Sequence, residues 1–107
     1  MKIVKIRTIA VAYPYESLEA EIITKNNKIV YINFDYRDDM DDNTIDETWL
    51  YWKPLDELCN EDWDDEKVYE ELTTEEVEDI IIKMKIFFRN KMDNKWDNTN
   101  RWHEYCE

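Results

Sequence analysis

The sequence predicts an α+β fold: an N-terminal antiparallel sheet of three to four strands packed against a long C-terminal helix, with short acidic helices between. Three observations carry this reading. Residues 17–24 and 28–36 alternate apolar and polar side chains with the period of a half-buried strand. From Thr73 onward the apolar spacing changes to that of a helix, behind a capping box. Charge is segregated: residues 1–34 sum to +2, residues 35–79 hold twenty acids and three bases for −17, and residues 80–107 sum to +2. The 107 residues therefore read as one domain, with a sheet in 1–36, an acidic loop with short helical segments in 37–72, and a helix and tail in 73–107.

The first strand is the Ile- and Val-rich stretch 3–12, ended by Tyr13-Pro14-Tyr15. In the second, Leu18, Ala20, Ile22 and Thr24 share one face, with Glu19 and Glu21 on the other. The third places Val30, Ile32, Phe34 and Tyr36 inward and Asn33 and Asp35 outward. For the even-numbered residues of both strands to share a face, paired positions must sum to an even number, so the loop at Asn26-Asn27 has odd length. A three-residue loop ending in a left-handed residue satisfies this, and Asn tolerates that conformation where glycine is absent.

Arg37 to Glu47 holds six acids and reads as an irregular loop. Thr48 to Trp52 is a candidate fourth strand, Pro54 opens a short helical segment, and Asn60 caps a second one reaching Leu72. Thr73 and Glu76 form the capping box of the long helix, flanked by the staple pair Leu72 and Val77. Val77, Ile80, Ile81, Met84, Phe87 and Phe88 make its apolar stripe, acids occupy its first turn, and Lys83, Lys85, Arg89, Lys91 and Lys95 gather toward its end near residue 95. Asn94 to Asn100 reads as a break, after which Trp102 and Tyr105 anchor a tail.

Composition narrows function. The chain has no glycine, which excludes the Rossmann fingerprint, the Walker loop and a standard EF-hand. A net charge of −13 argues against direct binding to nucleic acid. No apolar run approaches the ~20 residues of a membrane span, and no signal peptide is recognisable. Cys59 and Cys106 are too few for a disulfide framework, so a cytoplasmic protein with reduced thiols is expected. Twelve isoleucines, ten lysines and nine asparagines against three alanines and two prolines match an AT-rich coding sequence, as in a low-GC bacterium or its mobile elements.

Little points to catalysis. Ser17 is the one serine and His103 the one histidine, so a Ser-His-Asp arrangement is disfavoured, and a Cys-His site at His103 and Cys106 would sit in a tail. Asn60, Asp62, Asp64 and Glu71 have the spacing of calcium-loop positions, but Asp65 stands where glycine is required. Asp65-Glu66-Lys67 has the spacing of an acid-x-lysine nuclease element without a strand to hold it. No catalytic residue, metal ligand or cofactor is assigned.

Acids interleaved with large aromatics remain. The candidate partner-binding residues are Asp38, Asp39, Asp41, Asp42, Asp46, Glu47, Trp49, Glu61, Asp62, Trp63, Asp64, Asp65, Glu66 and Glu70. Aromatics supply contact energy at interfaces, and acids complement Arg and Lys on a partner. If residues 61–71 are helical, seven acids and one lysine span eleven residues. At ~1.5 Å per residue this is about one net charge per 3 Å, within a factor of about two of the ~1.7 Å per charge of duplex DNA.

In length, AT-rich character, mixed fold and acidic tract, the chain resembles the small acidic anti-defence proteins of phages and mobile elements, of the anti-CRISPR and DNA-mimic antirestriction type. The resemblance is one of organisation and covers no diagnostic motif, so no family residue is carried across. It implies a non-enzymatic inhibitor of a basic nucleic-acid-handling protein, such as a CRISPR effector or restriction nuclease, in the bacterial cytoplasm. An immunity protein for a basic toxin and a carboxylate-rich metal-binding module are the alternatives, and Trp96 and Trp102 leave a homodimer open.

Overall fold

Strand-period alternation in the first half of the chain becomes a single antiparallel sheet in the computed structural model, which describes residues 1–12, 15–37, 45–57, 66–92 and 101–106. The strands are β1 (Lys2–Ala12), β2 (Tyr15–Ile23), β3 (Ile29–Arg37), β4 (Ile45–Tyr51) and β5 (His103–Glu104). Between β4 and β5 come a single 3₁₀ turn at Leu55–Glu57, the short helix α1 (Glu66–Glu71) and the helix α2 (Thr74–Met92). The sheet order is β4-β3-β2-β1-β5, with every pairing antiparallel.

Cross-strand register puts the apolar residues in rows. Ile6, Ala20, Ile32 and Leu50 lie side by side across four strands, next to the row Thr8, Leu18, Phe34 and Thr48. A third row holds Ile3, Ile22 and Val30. Ile3 and Ile6 are three residues apart, so strict alternation would put them on opposite faces. A register shift between Ile3 and Lys5 inserts the extra residue that brings both to the core. From α2, Ile80, Ile81, Met84, Phe87 and Phe88 join the same buried cluster. Burying each such side chain contributes about 1.5–3 kcal/mol.

The turn between β2 and β3 has the predicted parity. Ile23 pairs with Ile29, Thr24 N–H donates to Lys28 O at 2.8 Å, and Asn27 N–H donates to Thr24 O at 3.0 Å. Asn27 has φ of 62°, the left-handed conformation that closes a three-residue loop. At the start of α2, Thr73 N–H donates to Glu76 Oε1 at 3.0 Å and Glu76 N–H to Thr73 Oγ1 at 3.1 Å, completing the capping box.

The expected architecture itself is overturned. In place of a three- to four-stranded sheet under a long C-terminal helix, the described residues form a small five-stranded antiparallel sheet with one substantial helix and little helix otherwise. Among the described residues the short acidic helices are one 3₁₀ turn and the six-residue α1. The long helix is followed by β5, which docks on β1 as Tyr105 N–H donates to Val4 O at 3.0 Å and the Tyr105 ring packs 5.2 Å from that of Phe87. Two paired residues leave no alternation to read, so this strand had no periodic signature in the sequence.

Replacing Asn27 by Ala is expected to cost about 1 kcal/mol, because a Cβ-bearing residue without a local hydrogen-bonding side chain disfavours positive φ, while Asn27→Gly leaves stability unchanged or higher. Urea unfolding midpoints at constant slope measure both.

Candidate functional site

The outward rows of the sheet carry the polar residues. One row runs Lys5, Glu21, Tyr31, Tyr51, the next Arg7, Glu19, Asn33, Trp49, and a third Ser17, Asp35, Glu47. A sheet whose opposite face forms the core ordinarily leaves such positions in water. Here Arg7 is 4% exposed, Glu19 0% and Tyr51 1%, as deeply buried as the core.

Segments distant in sequence cover them. The 3₁₀ turn folds over the sheet so that Leu55 N–H donates to Glu19 Oε2 at 2.9 Å and Arg7 Nη1 donates to Asp56 Oδ2 at 3.1 Å. From the chain before β5, the Trp102 ring lies 4.4 Å from the Arg7 guanidinium carbon and 4.7 Å from Lys5 Nζ, and its centroid is 6.2 Å from that of Tyr31. Arg7 and Lys5 thus meet an aromatic face as well as carboxylates.

Glu19 is the hub. Its Oε1 accepts from Arg7 Nε at 2.8 Å and forms an ion pair with Nη2 at 2.6 Å, and its Oε2 accepts from Tyr51 Oη at 2.6 Å and from Leu55 N–H. Each of these partners presents a donor, the environment of an ionised carboxylate. Burial pushes the Glu19 pKa above the ordinary carboxylate range, opposed by the hydrogen bonds of Tyr51 and Leu55 and by Arg7. Burial also works against the Arg7 charge, but Asp56 and Glu19 outweigh it and hold the guanidinium protonated. The hydrogen bond from Arg7 draws the Asp56 carboxyl below its usual pKa. Burial, reinforced by the neighbouring carboxylates Glu19 and Glu21, raises the Tyr51 and Tyr31 phenols.

Both carboxylate oxygens of Glu19 are engaged by groups of the fold itself. The network acts as a clamp. It fixes residues 55–57, the start of the stretch leading toward α1, against the sheet. Glu71 makes a second tie, accepting from Thr24 Oγ1 at 3.1 Å and Asn26 Nδ2 at 2.9 Å, and so fastens the end of α1 to the β2–β3 turn.

The predicted partner-binding residues distribute around this frame. Asp46, Glu47 and Trp49 lie on β4, at the edge of the sheet. Glu47 stands directly opposite Asp35, and Asp46 is the extra residue of a bulge between the Asp35–Glu47 and Tyr36–Ile45 pairs. Trp49 is half-buried and opposite Asn33, whose amide donates to Ser17 Oγ and Leu18 O at 2.8 Å each. Glu66 opens α1, and Glu70 is exposed on it. Asp38, Asp39, Asp41, Asp42, Glu61, Asp62, Trp63, Asp64 and Asp65 lie outside the described residues, as does Asn60, and with them residues 61–65 of the 61–71 stretch for which a DNA-like charge spacing is expected. The structure therefore brings together Asp35, Asp46, Glu47 and Trp49 at one edge. Sequence reasoning missed the network of Arg7, Glu19, Tyr51 and Asp56, whereas Trp102, expected to anchor the tail, lies against Arg7 and Lys5. The available signal was the opposite-charge pairing of Lys5 and Arg7 with Glu21 and Glu19 across β1 and β2.

Among the described residues no group of three or more His, Cys, Asp or Glu is arranged to hold a metal ion, and no helix is long and apolar enough to cross a membrane. The chain matches no known family, no curated protein and no solved structure.

Breaking the clamp with Glu19→Gln is expected to destabilise the fold by about 3–5 kcal/mol, since Arg7 keeps its buried charge and loses its main partner; urea denaturation measures it. The tyrosines give a pH dependence. With pKa values raised in the fold, Tyr31 and Tyr51 keep their protons where unfolded tyrosines, at 10.0, lose them, so stability falls as pH rises past about 10. Part of the tyrosinate absorbance at about 295 nm is then expected to appear together with loss of the far-ultraviolet signal, in one alkaline transition.

Proposed function

We propose that the chain is a non-enzymatic inhibitor that binds a basic, nucleic-acid-handling protein of the bacterial cytoplasm, such as a CRISPR effector or a restriction nuclease. Its acidic surface with aromatic anchors takes the place of nucleic acid. The observation that carries the proposal is the cross-strand placement of Asp35 against Glu47 on the edge strand, with Asp46 in the adjacent bulge and Trp49 one row away. Like charges directly opposite each other weaken a sheet by about 0.2–1 kcal/mol. Arrival of Arg or Lys side chains removes that penalty, and a neighbouring half-buried indole supplies contact area.

Other acids of the tract support the same reading by contrast. Asp56, Glu71 and Glu76 are occupied by Arg7, by Thr24 and Asn26, and by the helix cap. Fold requirements account for those three. The tract as a whole holds twenty acids between residues 35 and 79, and a surface of that charge releases counterions from a cationic channel as nucleic acid does.

Titration of the chain into a purified nuclease effector is expected to give a stoichiometric complex that duplex DNA displaces and that weakens at least about tenfold between ~50 and ~200 mM salt. The double change Asp46→Asn, Glu47→Gln is expected to weaken the complex while leaving the unfolding midpoint equal or higher. A complex indifferent to salt and to nucleic acid overturns the proposal.

A further inference from the structure

A cavity of about 330 Å³ lies beside the edge strand, on the face of the sheet opposite the Glu19 clamp. Its walls are Thr48 and Leu50 of β4, Tyr69 of α1, Leu72 between the helices, and Thr74 and Val77 at the start of α2. Alternation along β4 sends Thr48 and Leu50 to the core side, in the rows of Phe34 and Ile32, and among the described residues no strand lies beyond β4 to cover them. The cavity is thus the core continued to the edge of the sheet. Leu50 and Leu72 are buried, Val77 is half-buried against the core, and Tyr69 and Thr74 stand exposed. Ligand pockets span about 300–1,000 Å³, so this one suits a single side chain. Thr48 stands between Glu47 and Trp49, so the cavity adjoins the edge proposed above to meet the partner.

Charge selects the occupant. Residues 66–79, which supply four of the six lining positions, hold seven acids and one base, Lys67. Glu70, Glu75 and Glu78 are exposed, and each directly follows a lining residue, Tyr69, Thr74 or Val77. Among the described residues none of these three acids is ion-paired. The dipole of α2 places only about half a positive charge at its first turn, which the acids outweigh. A nucleic acid or a second copy of this chain, at −13, is repelled. Apolar walls favour a hydrocarbon stem and the acids a cationic tip, and the half-exposed Tyr69 ring offers a face on which a planar guanidinium stacks better than a compact ammonium. We infer that this cavity binds an arginine side chain of the partner, with its stem against Leu50, Leu72 and Val77 and its guanidinium at Tyr69 beside Glu70 and Glu75. The choice of a basic partner rests on the proposed function; the cavity and its charge do not.

Titration of N-acetyl-arginine amide into the isotope-labelled full chain at constant ionic strength, followed by nuclear magnetic resonance, tests it. The amide resonances of Thr48, Leu50, Thr74 and Val77 are expected to shift together and to saturate. N-acetyl-lysine amide, with the same charge, is expected to bind at least about threefold more weakly, and the uncharged N-acetyl-citrulline amide at least about tenfold more weakly. Tyr69→Ala, and separately Glu70→Gln with Glu75→Gln, change exposed positions. Each is expected to weaken arginine binding at least about threefold with the far-ultraviolet spectrum unchanged. Shifts that do not saturate or that lie away from the cavity, lysine or citrulline bound as tightly as arginine, or arginine binding that survives both sets of changes overturn the inference. The probe needs no partner protein, so the two readings fail separately. Failure of the probe beside a complex that salt and DNA dissociate removes this site alone, whereas saturable probe binding without such a complex removes the proposed function and leaves the site.

Discussion

The rest of the molecule depends on one carboxylate. Glu19 joins β1 through Arg7, β4 through Tyr51 and the 3₁₀ turn through Leu55, and Arg7 in turn holds Asp56 and lies against Trp102. Burying an ion pair of this kind adds little net stability over an apolar equivalent, because desolvation consumes much of the attraction. Its contribution is directional. An apolar patch on the outer face would accept the covering segments in many registers, whereas a phenol, a backbone N–H and a fork-shaped guanidinium converging on one carboxylate accept few. The clamp therefore sets where the acidic stretch crosses the sheet, and through Trp102 it sets where the chain returns after α2.

That dependence explains which parts of the structure were legible in the sequence. Local rules were enough for the β2–β3 turn, where parity and Asn27 specified the loop, and for the start of α2, where Thr73 and Glu76 cap each other three residues apart. They failed where the determining partner is remote. Alternation correctly assigned Glu19 to the outward face, and outward ordinarily means exposed; the segment that buries it lies 36 residues away at Leu55. The bulge beside Ile3 and the two-residue β5 are equally silent, because each depends on a contact that only the assembled sheet supplies. The expected fold class failed for the same reason: the helix was readable by itself, and the strand after it was not.

The candidate interface was half legible. Sequence reasoning identified the acidic tract and Trp49, but it treated the acids as equivalent. The structure divides them by task. Asp56, Glu71 and Glu76 satisfy donors within the fold, whereas Asp35 on β3 is set against Glu47 on the edge strand β4. A like-charge pair beside an edge also discourages strand addition by another sheet.

Charge in this protein therefore works in two separate compartments. Under Trp102 and the 3₁₀ turn, Lys5 and Arg7 face Glu21, Glu19 and Asp56, a nearly balanced set in which Arg7 and Glu19 are shielded from mobile ions. Counterions reach such a pair poorly, so salt changes its strength little. The remaining acids between residues 35 and 79 lie outside that balance and dominate the net −13. Salt acts on those. Fold electrostatics and surface electrostatics are thereby decoupled, which lets a small domain without glycine carry a density of negative charge that would strain a fold depending on exposed ion pairs.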